Sequence, residues 1–216
     1  ALLGAGLHWD MQGNDSYSGN AGVQGAGNYG LGILLDSEGD DSYLAYLSSQ
    51  GFAGAGGLGY LLDIAGNDSY RCKGRFPDTF DKRVERSGER HYVNMCQGFS
   101  YGTKPRASGG FGMLLDRGGD DEYIADLFAQ GAALWFGLGM LADGGGNDRY
   151  RAHEHAQGDG LHFGAGYLGD RGGNDHYRCH EHCQGVGKDR SNGFLYDHAG
   201  DDRFESSRHS QGAGVK

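Results

Sequence analysis

The apolar positions of the chain fall in short runs separated by glycine turns, as in GLGILLD followed by SYLAYL. No run carries a 3.6-residue stripe long enough for a helix, so the pattern predicts short strands and a glycine-rich third side. The runs recur. Aligned on Asp10, Asp36, Asp63, Asp116, Asp143, Asp170 and Asp197, the chain divides into seven copies of one unit, with spacings of 26, 27, 53, 27, 27 and 27 residues. Each head aspartate is followed by a glycine at +3, by Asn or Asp at +4, by Asp at +5 and by an aromatic at +7 (Tyr17 through Phe204), and a Gln-Gly pair closes the unit. A period of this length marks a solenoid, propeller or array. A propeller blade needs about forty residues and four strands, which the unit cannot supply. The expected fold is all-β: a right-handed parallel β-helix of seven ~27-residue coils forming a single domain over residues 1–216, the hand being the usual one for parallel crossovers.

Period-2 alternation sorts the columns. Two residues before each head aspartate stands Leu34, Leu61, Leu114, Leu141, Leu168 or Leu195, with His8 in the first unit, and this column faces in. Four before it every unit has glycine, where a side chain would strike the opposite wall or the backbone needs positive φ. A small-residue column (Ala45, Cys72, Ala125, Ala152, Cys179) follows the aromatic one. At ~4.8 Å per coil the rod is roughly 34 Å long.

Composition narrows the function. Forty-four glycines with only two prolines suit a fold that needs glycine at fixed positions. A net charge of −10 argues against nucleic acid, since no basic stripe is present to displace counterions. No apolar run approaches the ~20 residues of a membrane span. The chain has no initiator Met or signal-peptide pattern, and neither end reads as a cap, so the sequence suggests a piece of something longer, or end-to-end or edge association.

Stacking places seven head and seven turn aspartates in two columns; with Asp40, Asp120 and Asp201 they make 17 of the 29 acidic residues. Adjacent carboxylates repel unless compensated. Oxygen ligands at this density suit Ca²⁺, for which Asp36, Asp41, Asp63, Asp68, Asp116, Asp121, Asp143, Asp148, Asp170 and Asp175 are the candidates. The alternative is that each aspartate accepts turn N–H bonds, with Asn14, Asn67, Asn147 and Asn174 as an amide ladder. The stretch Asp143-Gly144-Gly145-Gly146-Asn147-Asp148-Arg149-Tyr150 resembles the calcium-binding nonapeptide of RTX proteins, G-G-x-G-x-D-x-U-x. Gly144, Gly146, Asp148 and Tyr150 fall on family positions, while Asp143 stands where the first glycine belongs. The resemblance covers about eight residues per unit. It implies Ca²⁺ held between neighbouring coils, and secretion.

Function is expected where copies differ. The third unit carries an insertion of about 20 residues (73–93) and a shorter one (101–107). The last three units bear HEH, HEH and SRH: His155, His182 and His209 share a column, His153 and His180 another, with Glu154 and Glu181 between. His155, His182 and His209 are candidate Zn²⁺ or Cu²⁺ ligands. In an enzyme, His153, Glu154, His155, His180, Glu181, His182, His209 and Arg208 would carry acid–base chemistry, beside Arg151 and Arg178. Against this, a duplicated solvated HEH explains two copies as one event, and neighbouring His and Glu on a strand point to opposite faces. Cysteine pairing within columns would span ~14 Å, too far for a bond, whereas Cys72–Cys96 and Cys179–Cys183 pair within a unit and imply an oxidising compartment. Four buried thiols, or a C-H-E-H-C metal clasp, are the alternatives. The sequence thus reads as an exported, extracellular, periplasmic or cell-surface solenoid, structural or binding a carbohydrate or protein ligand. The alternative is an enzyme on a polymeric substrate, a polysaccharide lyase or hydrolase, by fold analogy.

Overall fold

A computed structural model describes residues 3–77 and 90–216; most of the longer insertion (78–89) lies outside the described residues. The chain winds through seven coils of parallel strands, and no helix occurs among the described residues. Each complete coil has four sides rather than the two or three strands that the pattern suggests. The first side, seven strands from Ala5–Trp9 to Asn192–Asp197, stacks in sequence order, and so does the second, from Ser16–Ser18 to Arg203–Glu205. The third side forms a sheet only in the last three coils, Glu154–Ala156, Glu181–Cys183 and Arg208–Ser210. The fourth is a five-stranded sheet of two-residue strands beginning at Ser100–Tyr101. The longer insertion therefore leaves between the second and third sides, and Tyr101 belongs to the fourth side, with the shorter excursion closed by a Thr103–Ala107 bridge.

The register is one coil throughout: Leu141 pairs with Leu114 and Leu168, Tyr150 with Tyr123 and Tyr177. The leucine column and the tyrosine column meet inside the coil and form the main core, Leu34 to Leu168 against Tyr43 to Tyr177. The rings from Tyr17 to Phe204 stack face to face at 4.6–4.9 Å. The glycine of the first side is required by contact. A Cβ on Gly59 would stand 1.9 Å from the Phe52 carbonyl oxygen of the fourth side, with no unusual φ involved. The Gln-Gly corner is conformational instead: Gln157 and Gly158 both lie in the left-handed region, at φ 53° and 76°. The amide nitrogen of the glutamine is anchored at this corner, while its Oε1 is buried without a donor. Gln157 Nε2 donates to Tyr150 O in its own coil and Arg178 O in the next, at 3.1 and 3.2 Å, and the same pair of bonds recurs from Gln24 to Gln184.

Both expected cysteine pairs are present as disulfides, Cys72–Cys96 and Cys179–Cys183. Among the described residues, no helix is long and apolar enough to cross a membrane.

Candidate functional site

Three constellations carry chemistry. The first is the aspartate ladder. The head carboxylates of Asp63, Asp116, Asp143 and Asp170 each accept two kinds of bond: Asp143 Oδ1 takes the Gly145 N–H at 2.7 Å, and Oδ2 takes the Tyr123 hydroxyl of the preceding coil at 2.6 Å. Each turn aspartate after Asp15 reaches backwards in the same way, Asp148 Oδ1 accepting the Asp121 N–H at 2.6 Å. Outside them the +4 residues form an exposed ladder, Asn147 donating to Asp120 and Asn174 to Asn147. The N–H-accepting alternative is thus what the hydrogen bonds describe. What remains is one open oxygen per coil: Oδ2 of Asp41, Asp68, Asp121, Asp148 and Asp175 is buried without a donor. The Asp68 side chain is hydrogen-bonded to the Asp63 carboxyl, an arrangement of two acceptors that a proton completes. Burial, followed by the neighbouring head aspartate, pushes Asp68, Asp121 and Asp148 up to about 9. Triads such as Asp15/Asp36/Asp41 and Asp41/Asp63/Asp68 bring three carboxylate oxygens within 4.8 Å of one another. Ca²⁺, however, takes six to eight oxygens. To supply them the ladder would have to surrender its tyrosine and N–H donors, so as it stands it fits a shared proton better than a cation.

The second constellation is inside the coil at the HEH segments. The residue two before each Gln has positive φ, including His155 (52°), His182 (49°) and His209 (45°). This breaks the alternation on which opposite-facing Glu and His were expected, and Glu154, His155 and Ala156 are all buried. Phe128, His155, His182 and His209 consequently stack in one column at 4.8–5.3 Å. His155 Nδ1 lies 2.8 Å from Asp159 Oδ2, and its Nε2 lies 3.5 Å from Glu154 Oε1, which is 3.2 Å from His182 Nδ1. Lys188 Nζ stands 3.4 Å from His182 Nε2, and Glu181 holds Arg208 at 2.6 Å and His209 at 3.2 Å. Burial raises Asp159 well above the carboxylate range. A protonated Asp159 donating to His155, His155 and His182 donating to Glu154, and Lys188 donating to His182 account for every ring nitrogen of the two histidines, leaving Asp159 Oδ1 buried without a donor. Glu154, His155 and His182 form a triad whose spacing would admit Zn²⁺ or Cu²⁺, but the ammonium beside His182 gives the imidazole a donor already. Asp159 and Lys188 were not singled out from sequence. The signal was available: Asp159 is the sole charge in a column reading Ala26, Phe52, Phe99, Ala132, Asp159, Val186 and Ala213.

The third constellation lies outside, between the second and third sides. A groove of about 960 Å³ runs across the coils beneath the return leg of the long insertion. Its floor carries Arg151 and Arg178, in register on adjacent strands, and His153 and His180, whose rings stack at 5.0 Å. His91 of the insertion stacks on His153 at 3.3 Å and is held by Asp126, whose Oδ1 lies 3.0 Å from its Nδ1 while Oδ2 accepts the Tyr92 N–H. Lys73 and Arg90 complete the rim. Burial, then the adjacent His91 and His180, hold His153 down at about 4, so it is a neutral base at pH 7. Lys73, Arg90 and Arg151 have no carboxylate partner among the described residues, while Arg178 stands 3.9 Å from Glu205.

The residues gathered from sequence as one His/Glu/Arg set are therefore divided by the wall of the coil. His153 and His180 face the groove; Glu154, His155, Glu181 and His182 face the interior; Arg208 and His209 are exposed in the last coil. No protein-family model, curated protein or solved structure gives a significant match to the chain.

Proposed function

We propose that the chain is a ligand-binding solenoid of an oxidising, extracytoplasmic compartment, whose groove takes an anionic polymer, in the first place an acidic polysaccharide. The observation that carries this reading is the gathering of Lys73, Arg90 and Arg151, without carboxylate partners among the described residues, on one groove of a chain whose net charge is −10. Arg151 and Arg178 repeat along the rod at the coil spacing, ~4.8 Å, and so meet a ligand whose carboxylates or sulfates also repeat. Guanidinium binds such groups in bidentate fashion, and the stacked imidazoles offer flat faces beside them. The two disulfides fit the compartment.

The test is calorimetry with polygalacturonate and heparin against dextran as a neutral control, at low and high salt. The acidic polymers bind, affinity falls with salt, and R151A with R178A weakens binding at least tenfold. Equal binding of dextran, or no effect of either substitution, would sink the reading.

A second reading, an enzyme on the same polymer, is favoured by one observation, the neutral His153 beside Arg151. It requires turnover of the bound polymer that H153A abolishes while binding persists. For Ca²⁺ in the aspartate ladder the RTX resemblance is the one source, and the hydrogen bonds already made there favour a shared proton.

A further inference from the structure

The first sheet presents an uncharged outer surface along the whole rod. In each of its seven strands the first, third and fifth side chains point outward, and none of them is charged; Asn192 is the single amide. Leu7, Trp9, Leu31, Leu138, Phe194 and Tyr196 are between 38% and 64% exposed there. Monomers rarely leave a contiguous apolar patch of this extent open to water. Strands of five residues and six inter-strand steps give it a footprint of roughly 16 by 29 Å. Two such faces together come to roughly 930 Å² in flat projection, at the edge of the roughly 1,000 Å² that a specific interface needs, and their corrugation adds to it.

We propose that this face is covered by a second copy of the chain, packed sheet to sheet about a two-fold axis parallel to the strands, so that the two solenoids run antiparallel and the first coil lies over the seventh. Charge limits the choice of surface. The other described sides bear the exposed Asp/Asn ladder, the cationic groove or charged corners, and two copies of a −10 chain approach most easily where neither is charged.

Side-chain size limits the orientation. The antiparallel axis keeps each outward column opposite itself, with Phe111, Met113 and Leu115 of the fourth coil meeting their own counterparts. It sets Leu62 over Ala142 and Leu31 over Ala165, filling small positions with large ones as interdigitated sheets do. The other two-fold, coil over like coil, exchanges the outer columns. Leu62 would meet Leu58 and Leu31 would meet Leu35, while Ala165 faced Gly169, crowding one half of the interface and emptying the other. Gly169 itself offers no space, because the Tyr167 ring lies across it.

Light scattering after size exclusion, with sedimentation across a concentration series, tests the proposal. The wild type runs at twice 23.1 kDa. L62E and A142K, both on the outer face, each yield a monomer with an unchanged circular dichroism spectrum. The L62E/A142K double variant restores the dimer, because the antiparallel axis places the two substituted positions opposite each other twice. A wild type monomeric throughout the high-micromolar range, or a dimer that survives L62E, overturns the proposal. Failure of the double variant to recover overturns the antiparallel arrangement. A monomer that floats with phosphatidylcholine vesicles assigns the face to lipid instead.

Discussion

The hydroxyl of Tyr123 donates to Asp143 Oδ2 at 2.6 Å, joining two successive coils through the middle of the core. Both residues are buried, and the same bond is made from Tyr17 to Asp36, Tyr43 to Asp63, Tyr70 to Asp116, Tyr150 to Asp170 and Tyr177 to Asp197. Tyr123→Phe keeps the ring stack and removes only the donor. Hydrogen bonds to charged or partly charged groups are worth about 1.5–3 kcal/mol. Urea unfolding of Y123F should lose stability in that range; an unchanged midpoint would show the hydroxyl to be idle.

The ladder sets an inverted pH dependence. Asp68, Asp121 and Asp148 have folded pKa values raised to about 9, and Asp143 to about 7, all by burial first. An unfolded aspartate titrates near 3.9. Groups raised on folding bind more protons in the native state, so their contribution is fully present below about 4 and is lost as pH rises through about 9. The melting temperature should therefore fall steadily from pH 5 to pH 9 and be indifferent to EDTA. A melting temperature that rises over that window and drops on EDTA addition would instead establish a cation on ionised carboxylates.

The disulfides divide their work by loop length. Cys72–Cys96 closes a loop of sequence separation 24 around the insertion, and Cys179–Cys183 one of separation 4. In the chain-entropy description these are worth about 3.5 and about 2 kcal/mol. Removing the first pair with C72A/C96A should lower the melting temperature more than C179A/C183A. Intact mass before and after reduction checks the premise, since each bond gains two hydrogen atoms when a thiol reductant opens it.

The buried pair of Asp159 and His155 can be dissected with residues the repeat itself supplies. Val186 occupies the position of Asp159 one coil on, and Phe128 that of His155 one coil back. D159V alone strips the buried imidazole of its hydrogen-bond donor and should cost roughly 1–3 kcal/mol, whereas D159V/H155F, which removes both partners, should come close to neutral. Additive losses in the double-mutant cycle would show that the two do not interact.

The seven coils, the inward leucines, the tyrosine stack and the cysteine pairs were legible because each depends on a residue type recurring at one spacing, and one such repeat is stronger than any local propensity. The direction of the HEH side chains was not. It turns on the positive φ of His155, His182 and His209, a backbone choice available to many residue types and announced by none of them. The groove was half legible: His153, His180, Arg151 and Arg178 recur in column, but His91, Arg90 and Asp126 meet them only through the path of the insertion. The outer apolar face was open to the same alternation that located Leu141 inside. Met140 and Ala142 flank it on the other side of the strand.

The Gln bridges, the tyrosine hydroxyls and the turn-aspartate N–H groups share a property that matters beyond stability. In each, the earlier coil gives the hydrogen and the later coil receives it, so the rod has a sense, like an arrow. Every coil offers its successor the same set of donors and its predecessor the same set of acceptors. Tyr70 and Asp116 are 46 residues apart rather than 20, because the insertion intervenes, yet they meet at the same 2.7 Å as Tyr43 and Asp63. A coil is thus an interchangeable part: whole units can be gained or lost by duplication without leaving an unmatched group, and excursions can grow from a side while the joints between coils stay as they were.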